Sequence, residues 1–382
     1  DRAVPDRPLL AYRYCGHIAV ANTAALDLAG IGPHTADPRG GSLDRDDSGT
    51  PTGILRETAV GLVAEAIDPL LPPPEAEAIL RAMNALVATG MRRIGAIVAA
   101  GGPLWCGVGN ELEALCDLAD DLPLDVDVLV IADTPEQLDG AADRIVSAGG
   151  RLRFRGWKAF ADGSLGGHTA AMWEPFDDVD TTGTLRLDPD QAVAMARHVL
   201  DLGAESAIHA IGDRAVDVCL DVYQELVGEG FDPTRMRIEH ASVTSDAAIE
   251  RMADLGVVAS VQPAFLTSEA DWLRSRLGER APYRFATMQR AGVRMIGGSD
   301  CPVERPDPLV GIGAAVNREG LSDDEHLDVA TALSLFAAHD LSPGSPADLV
   351  VLDASPDDPS ATILAVYHDG RPRQLTPLPW PG

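Results

Sequence analysis

The sequence predicts an α/β protein built on a (β/α)8 TIM-type barrel that lacks its first strand, and three observations lead to this prediction. Short apolar segments alternate with amphipathic helical segments over residues 75–340, as in proteins with a parallel sheet. Seven such strands can be counted, which fit either an open doubly wound sheet or a barrel one strand short. Polar side chains at the ends of four different strands favour the barrel, because barrel enzymes gather their catalytic groups there.

The barrel region begins after Pro72-Pro73-Pro74, where irregular sequence gives way to helical periodicity. N-cap residues followed by proline, at Thr134-Pro135 and Asp188-Pro189, predict the beginnings of two helices. We predict an irregular insertion over residues 1–74 that follows the missing strand, the barrel over 75–340, and the C-terminal part of an accessory β-sandwich over 341–382. Buried apolar segments predict barrel strands near residues 94–99, 124–131, 152–160, 205–209, 236–240, 257–262 and 293–299.

Composition limits the classes of protein to which the chain can belong. Its 382 residues are 46% hydrophobic, enough for a globular core, and the net charge of −29 argues against nucleic acid or an anionic membrane as partner. Five cysteines at irregular spacing indicate reduced thiols. No apolar run is long enough to span a membrane and no signal peptide is visible, although a start upstream of Asp1 would hide one. We expect a cytoplasmic protein that acts on a small molecule, and the sequence leaves a homodimer open.

Lys158 is the single lysine among the 30 lysine and arginine side chains, at the end of a predicted strand in Arg155-Gly156-Trp157-Lys158-Ala159-Phe160-Ala161-Asp162-Gly163-Ser164. Arginine can replace lysine where only a positive charge is needed, but a guanidinium cannot act as a neutral amine. A lysine amine can form a Schiff base, and it can add carbon dioxide to become a carbamate, an anionic oxygen ligand for metals. On Lys158 alone, both chemistries and a surface lysine left by chance stay open.

Three further polar residues follow predicted strands. His209 and His240 each end an apolar strand, where an imidazole either binds zinc or has a structural role. Asp300 follows Gly297-Gly298-Ser299, and glycines at such a place let the backbone approach closely. This aspartate is either a positioned carboxylate or a turn residue. In a barrel all three would lie on the same face as Lys158.

Together, these four residues resemble the metal sites of the amidohydrolase superfamily. The resemblance covers most of the chain and is closest to the amidohydrolase 3 branch, which includes N-substituted formamide deformylases. The run from Lys158 to Gly166 is its most specific part. The matching segments are Gly16-His17 with Asn22 and Ala25-Leu26, Gly53 to Thr58, Lys158 to Ala170, His209 to Asp213, Arg237 to Ala241, Gln262-Pro263 and Gly298 to Val303.

The resemblance implies a role for each of the four residues. Lys158, as a carbamate, would bridge two divalent metals; His209 and His240 would bind the second metal; and Asp300 would bind the first metal while moving protons. Zinc is the expected metal because the ligands are imidazole nitrogen and carboxylate oxygen, although iron or manganese would also fit, and carbon dioxide is needed for the carbamate. The residues expected to contact substrate are His17, Glu57 and Gln262.

The chain departs from the family pattern at one point. The first metal also needs a His-x-His pair at the end of the first barrel strand, and the sequence contains no His-x-His. We therefore expect that the sequence begins downstream of that strand, or that it belongs to a shortened protein whose site holds at most the second metal.

These residues predict a metal-dependent hydrolase that cleaves a non-peptide carbon–nitrogen bond, of amide or N-formyl type, through a metal-activated water. Asp300 would take the proton of the attacking water and deliver it to the leaving amine. Two alternatives remain. The missing His-x-His is compatible with a catalytically incomplete protein that acts as a binding or assembly partner, and the lone lysine is compatible with a Schiff-base lyase.

Overall fold

The computed structural model describes residues 1–72, 75–100 and 111–375, and its first part is an antiparallel sheet. The four strands lie in the order β1-β2-β4-β3, with helices α1 and α2 following β2 and β4. Leu43, Leu55 and Val63 are among the buried residues of a separate small core here. The expectation that this region is irregular was therefore wrong. The elements are β1 Leu10–Tyr12, β2 Ile18–Ala21, α1 Thr23–Leu28, β3 Gly41–Arg45, β4 Pro51–Glu57 and α2 Ala59–Ile67.

The centre of the molecule is a sheet of seven parallel strands whose spatial order follows the sequence order. This arrangement confirms the barrel strands predicted from the sequence, with boundaries that differ by no more than two residues. The strands are β5 Arg93–Ala99, β6 Asp125–Ile131, β7 Leu152–Phe160, β8 Glu205–Ala210, β9 Met236–His240, β10 Val258–Val261 and β11 Arg294–Gly297.

Helices precede, separate and follow these strands and cover the sheet with one large apolar core. Side-chain caps start several helices: Thr134 accepts a hydrogen bond from the Gln137 amide, and Asp188 from the Gln191 amide. The helices are α3 Ala76–Ala88, α4 Glu111–Asp117, α5 Pro135–Ala148, α6 Pro189–Asp201, α7 Asp213–Gly228, α8 Asp246–Leu255, α9 Phe265–Leu277, α10 Phe285–Ala291, α11 Pro308–Asn317 and α12 Val329–Ser334.

The C-terminal part is a second antiparallel sheet, of order β12-β13-β14, with strands Leu349–Leu352, Ile363–His368 and Arg371–Pro372. It lies against α3, and Val350 approaches Gly90 just beyond the end of that helix. The boundaries proposed for the three regions stay predictions.

Two expectations about the class of protein can be compared with the described residues. The four cysteines among them, Cys15, Cys116, Cys219 and Cys301, are free thiols, while Cys106 lies outside the described residues. Across the same residues, the helices are too short or too polar to cross a bilayer.

Candidate metal and catalytic site

Four strands bring the predicted site residues to one face of the sheet. Lys158 lies on β7, His209 on β8 and His240 on β9, while Asp300 follows β11. Because the strands are parallel, their carboxyl ends lie on one side, and a pocket opens there. The pocket is narrow, with a cavity volume of about 20 Å³, and its lining includes three of the four predicted residues. It is lined by Tyr14, Cys15, His17, Ser164, Leu165, His209, Ile211, His240, Phe265, Glu269, Tyr283, Asp300 and Val303.

His209 is held by the turn that follows β7. Its Nε2 lies 2.9 Å from the carbonyl oxygen of Gly163, which can only accept, so Nε2 carries the proton and Nδ1 keeps a lone pair. Burial, followed by the charges of His240 and Lys158, holds the pKa of His209 well below its usual value. The ring is therefore neutral at pH 7, which is the form that binds metals.

His240 lies beside His209, with ring centroids 4.5 Å apart. Its Nδ1 is buried and has no hydrogen-bond partner, an arrangement that is costly unless something else occupies that atom. Burial and the charge of Lys158 lower the pKa of His240 to about 3, so this ring is neutral as well.

Lys158 is as deeply buried as His209, at only 2% exposed. Its Nζ donates a hydrogen bond of 2.8 Å to the carbonyl oxygen of Ala159 and lies 3.6 Å from the centroid of the Phe160 ring. The sequence left open a surface lysine, and the burial excludes that interpretation.

Asp300 reaches the pocket from the loop after β11 and is half-buried. Burial raises its pKa to about 6, against the opposing charges of Lys158 and His17. Its backbone has φ of 54°, in the left-handed region that non-glycine residues rarely adopt.

The same left-handed geometry recurs around the pocket. Glu57, His240 and Ala241 have φ values of 53°, 73° and 45°. Strained backbone of this kind persists only where the surrounding structure imposes it, and it is concentrated at functional sites. The strain therefore marks the same edge of the sheet as the polar residues do.

The side chains of His209, His240 and Lys158 can be compared with the ligands that a metal ion requires. Two neutral imidazoles, one of them with a buried and unpartnered Nδ1, match the ligands that divalent transition metals prefer. Within the described ranges, no group of three or more His, Cys, Asp or Glu side chains is close enough to share one ion. The donor set therefore fits an ion if Lys158, as a carbamate, adds an oxygen ligand to His209 and His240.

His17 and Glu57, predicted to contact substrate, form a buried pair. Nδ1 of His17 lies 2.8 Å from Oε2 of Glu57, and the Arg186 guanidinium donates to the same oxygen at 2.8 Å. Burial acts to raise the pKa of Glu57, but the charges of His17 and Arg186 outweigh it and hold the pKa below its usual value. Only His17 of the pair lines the pocket, with its ring centroid 5.2 Å from that of His209. Glu57 orients His17 from behind.

Gln262, the third residue predicted to contact substrate, follows β10 and is 5% exposed. Its Nε2 donates to the carbonyl oxygen of Ser260 at 3.1 Å, and its side chain neighbours His240. It is not among the residues that line the pocket.

Asp162 is a site residue to which the sequence assigned no role. It is fully buried, and its two carboxylate oxygens accept hydrogen bonds from the amides of Ala171, Ile211 and Gly212 at 2.8–3.0 Å. One oxygen also lies 3.3 Å from Nε2 of His209. Burial raises the pKa of Asp162 to about 7 against these three amide donors. The only sequence signal was its place four residues after Lys158.

A curled parallel sheet with paired imidazoles, a buried lysine and an aspartate at its carboxyl edge has the architecture of a metal-dependent hydrolase barrel. The chain belongs to the amidohydrolase family, whose sequence profile matches residues 1–374. This match confirms the resemblance found in the sequence.

Individual relatives agree with this assignment. YtcJ of Bacillus subtilis, an amidohydrolase by name, is 31% identical over 88% of this chain, which spans 65% of the length of YtcJ. The N-substituted formamide deformylase of Arthrobacter pascens is 29% identical over 97% of this chain and 74% of its own length. An uncharacterized metal-dependent hydrolase from Pyrococcus furiosus has a similar crystal structure, with a TM-score of 0.65 and 34% identity, covering 88% of this chain and 67% of the other.

Proposed function

We propose that this chain carries the site of a metal-dependent hydrolase that cleaves a non-peptide carbon–nitrogen bond of amide or N-formyl type. The observation that carries the proposal is that two neutral histidines and Asp300 line one pocket, with the buried Lys158 close enough for its charge to act on both imidazoles. The name of the Arthrobacter pascens relative supports the N-formyl type of substrate.

Each residue has a defined part in this proposal. His209 and His240 would hold the ion through ring nitrogens, and Lys158, as a carbamate, would supply an oxygen ligand and remove a positive charge from the site. A bound divalent ion, with zinc as the expected one, supplies the Lewis acidity that polarises a carbonyl group and makes water acidic. Asp300 accepts the proton of the attacking water and returns it to the leaving amine.

Metal content tests the proposal without a known substrate. We expect purified protein to contain at least about one divalent ion per chain, because the donor set fits one such ion. Lys158→Arg cannot form a carbamate, and His209→Asn loses a ligand, so both should lose the ion. His198→Asn is the matched control, because His198 pairs with Asp139 on the surface and should keep the metal content unchanged.

The other interpretations give different results in the same experiment. Metal retained in Lys158→Arg would contradict the carbamate as a metal ligand. A protein without metal that borohydride links covalently to a carbonyl compound at Lys158 would also contradict it and would favour the Schiff base. An intact fold that never binds metal would favour the non-catalytic binding partner, the alternative suggested by the absence of His-x-His.

A further inference from the structure

The pocket extends away from the two histidines along a row of aromatic rings. The Phe265 ring stacks on His240 with centroids 5.9 Å apart, and the Tyr283 ring meets Phe265 edge-on at 6.5 Å. At this remote end the pocket is lined by Tyr283 and by the carboxyl group of Glu269. Leu165, Ile211 and Val303 add an apolar lining.

The Glu269 carboxyl group is held in place by Tyr283. Oε2 of Glu269 accepts a short hydrogen bond from the Tyr283 hydroxyl. The backbone of Tyr283 is fixed in turn, since its amide donates to Ser242 and its carbonyl accepts from the buried Arg318. Among the described residues, no protein group donates a hydrogen bond to the second oxygen, Oε1 of Glu269. That oxygen is therefore available to a molecule in the pocket.

The acidic side chains that line the pocket near this end have no arginine or lysine beside them in the described part of the lining. The lining includes the carboxyl groups of Glu269 and Asp300, and no arginine or lysine lines it in the described part of the chain. Arg13 and Arg276 are close enough to influence Glu269, yet each donates to a backbone carbonyl, and neither forms an ion pair with it within 4.0 Å. Glu304 adds a further negative charge nearby. An anionic group would be repelled here, and a hydrogen-bond donor or a cation would be attracted.

We propose that Glu269 determines specificity in this pocket by binding an ammonium or other N–H donor at the end of the substrate remote from the scissile bond. The aromatic and aliphatic lining would hold an apolar portion between that donor and the reacting group. This inference rests on the proposed hydrolase function and adds to it the chemical class of the substrate.

The burial of Glu269 is consistent with this role. Burial raises its pKa to about 7, and the charge of Glu304 adds to this effect, while the Tyr283 hydrogen bond, Arg276 and Arg13 oppose it. A carboxyl group in such surroundings gains more from a bound cation than an exposed one does, because water competes less for it.

Binding of two small probes tests the inference without hydrolysis. Benzylamine and benzyl alcohol have the same ring, but only the amine is a cation at about pH 8, where Glu269 is ionised. Calorimetric titration of the protein as purified should show binding of benzylamine about tenfold tighter than that of benzyl alcohol, as expected for a charge-assisted hydrogen bond. In Glu269→Gln this preference should disappear, while the affinity for benzyl alcohol stays unchanged.

Two further variants make the test decisive. Glu304→Gln removes a nearby carboxylate that does not line the pocket, and it should keep most of the preference. Glu269→Asp keeps the charge but withdraws it by one methylene, so an intermediate preference is expected even if Glu269→Gln folds poorly. Equal binding of the two probes, or a preference that survives in Glu269→Gln, overturns the inference. Loss of metal or lack of hydrolysis would instead count against the proposed function and leave this binding ratio untouched.

Discussion

Asp162 joins three segments of the chain at one buried carboxylate. Its oxygens accept the amide of Ala171 from the loop after β7 and those of Ile211 and Gly212 after β8. The same carboxylate lies beside Nε2 of His209. A single residue thus fixes the ends of two neighbouring strands and the orientation of one proposed metal ligand, as residues behind metal ligands commonly do.

Asp162→Asn should therefore be costly although it changes the shape of the side chain little. The amide nitrogen that replaces one oxygen cannot accept, so at least one buried backbone donor loses its partner, at a cost of about 1–3 kcal/mol in the free energy of unfolding. Denaturant unfolding followed by circular dichroism measures this cost. We also expect a lower metal affinity, because the orientation of His209 is less constrained.

The matched control is Asp46→Asn. Asp46 also accepts two backbone amides, from Ser48 and Thr50, but in an exposed turn where water replaces a lost partner. Its substitution should cost far less than that of Asp162. Similar losses in the two variants would show that burial of the Asp162 hydrogen bonds is not important.

For single residues, the sequence predicts which side chains can bind a metal more readily than it predicts which side chains contact one another. Lys158, His209 and His240 could be identified because their types and their strand-end positions are informative in themselves. Arg186 and Glu269 could not, because an arginine in a loop and a glutamate in a helix are ordinary, and only the folded chain brings them to Glu57 and Tyr283.

The turn after β7 shows how closely the elements around the site approach one another. A Cβ atom on Gly163 would lie 2.1 Å from Oε1 of Glu57 and 2.2 Å from Oγ1 of Thr169. The carbonyl oxygen of the same glycine accepts the hydrogen bond of His209. Glycine is therefore required where the first antiparallel sheet meets the barrel.

Gly163→Ala should destabilise the protein by about 1–3 kcal/mol, the usual cost of overpacking, and should reduce metal content because the turn must move away from His209. Thermal unfolding and metal analysis measure the two effects. Gly140→Ala is the control: Gly140 is exposed within α5 with open space around its Cβ position, and alanine there should stabilise the helix by about 0.5–1 kcal/mol. Equal behaviour of the two variants would contradict the close approach at Gly163.

Helices and strands could be predicted from the sequence where local signals, such as helix caps and apolar runs, determine them. Strand β7 matches its predicted range, and the caps at Thr134 and Asp188 marked their helices correctly. Strands β1 to β4 were missed because β1 and β2 are very short, β3 and β4 contain polar residues and glycine, and all are stabilised by pairing between distant segments such as β2 and β4. The burial of residues such as Leu55 becomes visible only after that pairing is known.

The whole molecule carries a large excess of negative charge, with 59 acidic against 30 lysine and arginine side chains. Many arginines form ion pairs; Arg92 and Arg151, for instance, contact Asp125 at 2.9 and 3.0 Å. The remaining carboxylates repel one another, and this repulsion opposes folding.

Salt should therefore stabilise the protein at neutral pH. Raising sodium chloride from about 0.05 M to about 0.5 M shortens the screening length severalfold, and we expect the melting temperature to rise by about 2 °C or more. Differential scanning calorimetry measures this change. The same titration near pH 4.5, the isoelectric point of the sequence, is the control, and the effect should vanish there. A melting temperature that falls with salt at pH 7 would show that the ion pairs outweigh the general repulsion.

The burial of Lys158 also affects how the protein reacts with amine-directed reagents. Since this is the single lysine of the sequence and it is 2% exposed, its amine is out of reach of such reagents while the fold is intact. A fluorophore ester should therefore leave residue 158 unmodified in the native protein, and a label on Lys158 would report molecules in which the site has opened.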